Sequence, residues 1–195
     1  MAVAVHWVRA AGVAKRLRRP PGARGCGSFA TPPTHTPSTF LMNQAHIHLI
    51  VNHVPIMGSL FAVLLLGAGL LRQNDTLTQA GLVAVLLAGL LCLPAQLTGE
   101  GAAAIVQDIP RVSRALVWDH AAAAELGFWV LEGAAALALF SLLLLKSASP
   151  RARLLAFLTL AVAAGSFGLL ARAANLGGQI RHTEIREGFG TPDEL

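Results

Sequence analysis

The chain has 195 residues, of which 54% are hydrophobic and only 13% are charged. Soluble domains carry about 25% charged residues, so this composition favours an integral membrane protein over a soluble enzyme domain. The net charge of +5 comes from residues 1–42, which hold six cations and no acid, whereas the rest holds nine cations and ten acids. Because the basic character belongs to this segment and no folded recognition module accompanies it, nucleic acid is excluded as a partner.

Residues 1–42 are predicted to be a disordered basic N-terminal extension, since Pro32–Pro37 (PPTHTP) favours extended chain. A secretory signal needs an unbroken apolar core, and His6 and Arg9 interrupt the only apolar stretch. An organellar transit peptide is one alternative. We expect instead that Met42 is the natural start, that 43–190 form the membrane domain, and that 191–195 are a short tail.

Four apolar segments follow, and each is long enough to cross a hydrocarbon layer that takes roughly 20 helical residues. They lack the polar stripe that soluble bundles carry along each helix. The sequence therefore predicts an all-α bundle of four transmembrane helices in a lipid bilayer. The second helix is predicted to end at Thr98–Gly101, with a short surface helix between Ala102 and Ala115. The four segments are Leu49–Leu71, Leu77–Leu97, Leu116–Leu145 and Leu154–Ala174.

Four crossings put both chain termini on one side of the membrane. The connection Lys146–Arg153 carries three cations and no acid, whereas the connection Thr98–Ala115 is mixed in charge. An excess of Lys and Arg in short loops is typical of the cytoplasmic side. We therefore expect the Lys146–Arg153 connection inside and both termini outside.

Histidines cluster at the predicted outer face. Two neutral imidazoles from different helices can bind a b-type haem, and three or four can bind a transition metal. His48 and His53 point about 140° apart on a regular helix, so one atom cannot bind both. We prefer His53 with His120 and keep His48 and His182 as alternatives. Pro55 and Pro94 are expected to widen a pocket at this level. The full set of candidate ligands is His48, His53, His120 and His182.

The third segment contains two acids, Glu125 and Glu132, which lie seven positions apart on one helix stripe. A carboxylate at the bilayer centre costs on the order of 3 kcal/mol, so Glu132 should face the bundle. Arg172 is the expected partner of Glu125. These acids make a proton or ion path an alternative function.

Several motifs in this order resemble a bacterial membrane-protein family known as domain of unknown function twenty-two thirty-one. They are His48-x4-His53-x-Pro55, Thr98–Gly99, His120 and the segment Leu176–His182 (LGGQIRH). The resemblance spans about Ala45–Gly190 and implies four helices in the bacterial inner membrane. The chain departs from the family pattern at Glu100–Val106 and at Thr183. The resemblance implies no specific activity.

The sequence thus predicts a multi-pass membrane protein that binds haem b or a transition metal and has a redox or electron-transfer role. Hydrolase and nucleotide-binding motifs are absent, and whether the chain is an enzyme stays open. One alternative is an accessory subunit of a membrane redox complex or a homo-oligomer. Small residues at Ala161-x3-Gly165 and Ala164-x3-Gly168 would permit close helix packing there.

Overall fold

The computed structural model describes residues 42–147, 149 and 151–188. The predicted N-terminal extension up to residue 41 and the tail at 191–195 lie outside the described residues. The described part is built from five α-helices that make four spans long and apolar enough to cross a membrane. The predicted all-α bundle of four spans is therefore confirmed. The helices are α1 (Gln44–Val51), α2 (His53–Leu71), α3 (Asp75–Val106), α4 (Arg114–Lys146) and α5 (Arg151–Arg181).

The first span is interrupted at Asn52, which separates α1 from α2. Pro55 has no N–H to give to the carbonyl of Val51, and its ring crowds that carbonyl, so the helical hydrogen-bond ladder is disturbed at this point. Asn52 itself keeps α-helical dihedral angles and donates its N–H to the oxygen of His48, so the break is local and both helices belong to one span of 28 residues. The expected effect of Pro55 on the helix is thus seen as a break one turn before it.

Side-chain caps fix where three helices begin. Asn43 accepts a hydrogen bond from the backbone N–H of His46, and Asn74 accepts one from Leu77. Ser113 accepts one from the N–H of Leu116 at the start of α4. Each cap satisfies one of the N–H groups that a helix start leaves without an internal partner.

The predicted end of the second span is wrong, because α3 continues through Thr98–Gly101 to Val106. A glycine inside a helix costs only about 1 kcal/mol relative to alanine, which packing can offset. Here the Gly101 position is filled by the side chain of Gln44, which a Cβ at 101 would overlap. The chain from 102 onward therefore extends α3, and no separate surface helix forms between Ala102 and Ala115.

The spans pack as a closed ring in which α2 contacts α3, α3 contacts α4, α4 contacts α5, and α5 returns to α2, while α1 lies against α3. Thus α1 and α4 lie across one diagonal. At one end of the bundle, α1 and α4 begin and α3 and α5 end; we call this the histidine end. Towards the opposite end, α2 and α3 approach closely, since a Cβ on Gly81 would lie 2.5 Å from the Cα of Leu66.

The small-residue motifs of α5 do not pack the bundle. Ala161, Ala164, Gly165 and Gly168 are all exposed on the described chain. A Cβ added at Gly165 or at Gly168 would have no contact within 4 Å. This face of α5 is therefore turned to the surroundings, and the close helix approaches use Gly81 and Gly69 instead.

Candidate functional site: a histidine pair between two helices

The rings of His48 on α1 and His120 on α4 meet inside the histidine end of the bundle. Their centres are 6.5 Å apart and their planes are nearly perpendicular, at 84°. Both side chains are partly buried. The two rings come from diagonally placed helices, and each is held by a third or fourth helix, as described next.

His48 is held by α3. Its Nδ1 donates to the backbone oxygen of Ala95 at 3.1 Å and lies 3.2 Å from the hydroxyl of Thr98. The Thr98 hydroxyl itself donates to the carbonyl of Pro94 at 2.8 Å. Since a carbonyl oxygen can only accept, the bond to Ala95 requires the proton of the neutral ring to be on Nδ1.

His120 is held by α5 in the same way, with its Nδ1 donating to the backbone oxygen of Ala173 at 2.7 Å. Among the described residues, no hydrogen bond reaches Nε2 of either ring. In each neutral imidazole the lone pair is therefore on Nε2. Histidines that bind metals almost always donate the other ring N–H to a carboxylate or backbone carbonyl, which fixes the tautomer and the ring orientation.

A glycine stands four residues after each accepting carbonyl. Gly99 follows Ala95, and a Cβ there would lie 3.6 Å from Cε1 of His48; Gly177 follows Ala173, and a Cβ there would lie 3.1 Å from Cε1 of His120. Residues four apart share a helix face, so a larger residue would cover the carbonyl that the ring must reach. The glycines of the T-G and L-G-G motifs thus make room for the two imidazoles.

The other candidate histidines are not brought to this pair. His53 is exposed at the start of α2. His182 lies beyond α5, where its Nδ1 is 2.8 Å from Oε1 of Glu184. The backbone N–H of Glu184, and then His182, lower the pKa of that carboxyl. The preferred pairing of His53 with His120 is therefore not the one that the fold brings together; His48 takes that position.

The two membrane acids have different surroundings. Glu125 is exposed on the outer surface of α4, whereas Glu132 is partly buried, as the sequence argument required for an acid near the bilayer centre. Arg172 is exposed on α5 and, within the described residues, forms no ion pair with Glu125. The predicted pairing of these two charges is not found.

Within the described part of the chain, no three side chains of His, Cys, Asp or Glu are close enough to share one ion. A cavity of about 50 Å³ lies at the opposite end, among residues that include Gly69, Asp75 and Arg153. This cavity is therefore not the pocket that was expected beside Pro55 and Pro94. The ligand set at the histidine end consists of two imidazoles.

Sequence reasoning missed the backbone oxygens of Ala95 and Ala173 that orient the rings. No residue type marks a carbonyl acceptor, because every residue carries one. The available signal was the pair of glycines, Gly99 and Gly177, each near a helix end in a motif with a polar neighbour. Comparison with protein-family models, curated proteins and solved structures gives no match, so the family resemblance stays a prediction.

Proposed function

We propose that this membrane protein binds a b-type haem between His48 and His120 and carries electrons at the histidine end of the bundle. The observation that supports this most directly is the state of the two rings. Each imidazole donates its Nδ1–H to a backbone carbonyl of another helix, which leaves Nε2 as a free ligand atom.

The two rings lie near enough to each other to share one cofactor. His48 and His120 would hold the haem through their Nε2 atoms, one ring from α1 and one from α4. The centres of His48 and His120 are 6.5 Å apart. Haem iron needs only two axial ligands from the protein, whereas a tetrahedral or octahedral metal site needs more protein ligands or water. Two imidazoles therefore favour haem over a mononuclear metal.

The residues around the pair have separate tasks in this proposal. The carbonyls of Ala95 and Ala173 orient the rings and keep each neutral ring in the Nδ1–H tautomer. Deeper in the bundle, Phe128, Leu131 and Leu170 belong to one buried cluster that excludes water from beneath the pair. When bound, haem supplies one-electron redox chemistry, and the axial ligands, hydrogen bonding and burial set its potential.

The test is a reduced-minus-oxidised absorbance spectrum of the full chain, purified in detergent from cells supplied with haem. We expect Soret and α bands that disappear in His48→Ala and in His120→Ala. His53→Ala and His182→Ala are matched controls and should keep both bands. A colourless protein would contradict the proposal, as would a spectrum that depends on His53 and not on His48.

An electron carrier needs a partner on the same membrane face, so we further propose a membrane redox complex, or a second copy of the chain, as the electron partner. The three cations of the Lys146–Arg153 connection favour the cytoplasmic side of a bacterial inner membrane for the opposite end. The histidine end and both termini are then outside. A reporter that is active only in the cytoplasm, fused after residue 195, should be inactive; activity would reverse this orientation.

A further inference from the structure

The cavity of about 50 Å³ at the end of the bundle opposite the histidines has an apolar floor and a polar rim. The buried side chains of Leu70 and Ala152 form part of the floor. The rim carries three exposed side chains: Gln73 follows α2, Asp75 begins α3, and Arg153 lies in the first turn of α5. Since a space of roughly 15 Å³ suffices for one water molecule, this cavity can hold a few waters or one group of the size of a phosphate.

The rim lies where the spans leave the hydrocarbon layer. Arg72 directly follows the last apolar residue of α2, and Lys146 directly follows that of α4. Arg153 directly precedes the apolar run of α5. Because the polar headgroup region of a bilayer begins where the hydrocarbon core ends, the rim is at the depth of the lipid phosphate groups.

This end of the bundle carries an excess of positive charge. The residues that join and begin its helices, 72–78 and 146–153, hold four cations and one acid, which gives a net charge of +3. Basic pockets between membrane helices are typical binding sites for anionic lipid headgroups. The charge at this end therefore favours an anion as the ligand of the cavity. The charged residues are Arg72, Asp75, Lys146, Arg151 and Arg153.

The guanidinium of Arg153 is available to a ligand in this cavity. Within the described part of the chain it forms no ion pair, although Asp75 lines the same cavity. A guanidinium presents five N–H donors in a planar fork whose geometry matches the oxygens of a phosphate. The carboxylate of Asp75 opposes an anion at this position, so its removal should strengthen binding.

Gln73 has a side chain at a position where helix ends usually have glycine. Its φ is 53°, in the left-handed region, and the N–H of Asn74 donates to the carbonyl of Gly69 as in a Schellman motif. Glycine adopts this conformation without the steric penalty of a Cβ, so a glutamine here costs stability. Its side chain lines the cavity, where the amide N–H groups can donate to an anion beside Arg153.

We infer that this cavity binds a phosphate group, held by the guanidinium of Arg153 and the amide of Gln73. The phosphate belongs to an anionic lipid headgroup at this membrane face or is a free phosphate from the water beside it. The apolar floor, which includes Leu70 and Ala152, stops the ligand from entering deeper, so only the phosphate end of a lipid fits. Haem at the histidine end is not required for this site.

Calorimetric titration of the full chain in a neutral detergent tests the site and the source of the phosphate. The probes are dihexanoyl phosphatidylglycerol, dihexanoylglycerol, which has the same chains without the phosphate, and inorganic phosphate. We expect phosphatidylglycerol to bind and dihexanoylglycerol not to bind. Tighter binding of phosphatidylglycerol than of inorganic phosphate assigns the site to a lipid headgroup, and the reverse order assigns it to a free phosphate. Equal binding of phosphatidylglycerol and dihexanoylglycerol, or no binding of either phosphate compound, would overturn the inference.

Two arginine variants separate a specific site from a surface that is merely basic. Arg151 lies two residues before Arg153 and does not line the cavity. A cation near a membrane surface contributes about fivefold to the binding of an anion, so a surface effect alone predicts equal losses in Arg151→Gln and Arg153→Gln. The cavity site predicts a clearly larger loss in Arg153→Gln than in Arg151→Gln, and tighter binding in Asp75→Asn. Equal losses in the two arginine variants would overturn the inference.

Gln73→Gly separates ligand binding from folding. Glycine removes the steric penalty of the left-handed backbone, so the thermal unfolding temperature in phosphate-free detergent should rise. The affinity for phosphatidylglycerol should fall several-fold in the same variant, because the amide donor is lost. A variant that is more stable and binds as well as the wild type would contradict the assignment of Gln73 as a ligand-holding residue.

Discussion

Gly177 on α5 lies directly against the imidazole of His120 on α4. A Cβ at position 177 would be 3.1 Å from both Cε1 and Nδ1 of the ring. The same ring donates to the oxygen of Ala173, one turn earlier on α5, over 2.7 Å. The short hydrogen bond requires a glycine at position 177, because a ring that reaches a helix carbonyl must pass over the residue four positions later.

Replacing Gly177 with alanine should therefore push the ring of His120 away from Ala173. The neighbouring Gly178→Ala is the matched control, since its Cβ would lie 3.5 Å from the flexible end of Ile185, an ordinary contact. An alanine in a helix otherwise gains up to about 1 kcal/mol over glycine. We expect Gly178→Ala to be neutral or stabilising and Gly177→Ala to lose stability.

Thermal unfolding in detergent measures both variants, and the absorbance of the proposed haem measures whether the ring keeps its position. Changes to groups that orient a metal-binding histidine typically cost about 10–100-fold in affinity. Gly177→Ala should fall in this range, while Gly178→Ala retains wild-type haem content. Equal behaviour of the two variants would mean that the contact with His120 has no role in holding the ring.

A second pair of glycines tests the packing of the bundle. At Gly81 a Cβ would be 2.5 Å from the Cα of Leu66, whereas at Gly165 it would meet no atom within 4 Å. Overpacking of a core costs typically about 1–3 kcal/mol, and backbone atoms of a facing helix cannot rotate away. Gly81→Ala should lower the free energy of unfolding in a mixed detergent titration, and Gly165→Ala should leave it unchanged or raise it. A destabilising Gly165→Ala would show that this exposed face is occupied by another chain.

The four spans were predictable from sequence because length and apolarity alone decide whether a helix can cross a bilayer. Their ends were not, since α3 runs through Thr98 and Gly99 to reach Val106. The choice between His48 and His53 depended on which side of the first span faces the bundle. Spacing predicted that only one of them could face a shared atom, but the direction of each came from packing against α3.

A buried hydroxyl offers a smaller and separate test. Ser166 on α5 is fully buried and donates to the oxygen of Gly127 on α4 over 3.0 Å. Removing such an interhelical bond costs about 1 kcal/mol in membrane proteins, because the carbonyl keeps its own helical partner. Ser166→Ala should show this loss in unfolding experiments, and Ser147→Ala, which removes an exposed hydroxyl, should show none. A loss of several kcal/mol would mean that Ser166 supports more than this one bond.

Ligand replacement separates a direct role of His120 from a structural one. His120→Gly removes the ring but leaves the Ala173 carbonyl and Gly177 as they are, so a space of imidazole size opens beside His48 at the partly exposed histidine end. Free imidazole should enter this space, donate one N–H to the carbonyl and offer its other nitrogen in place of Nε2. We expect His120→Gly to lose the α band of the reduced protein and to recover most of it when imidazole is added at millimolar concentration. His182→Gly should neither lose the band nor respond to imidazole, because His182 contacts Glu184 outside the bundle. Recovery with imidazole would show that His120 itself supplies a ligand atom. A folded His120→Gly protein that imidazole cannot restore would show that the ring contributes only to packing.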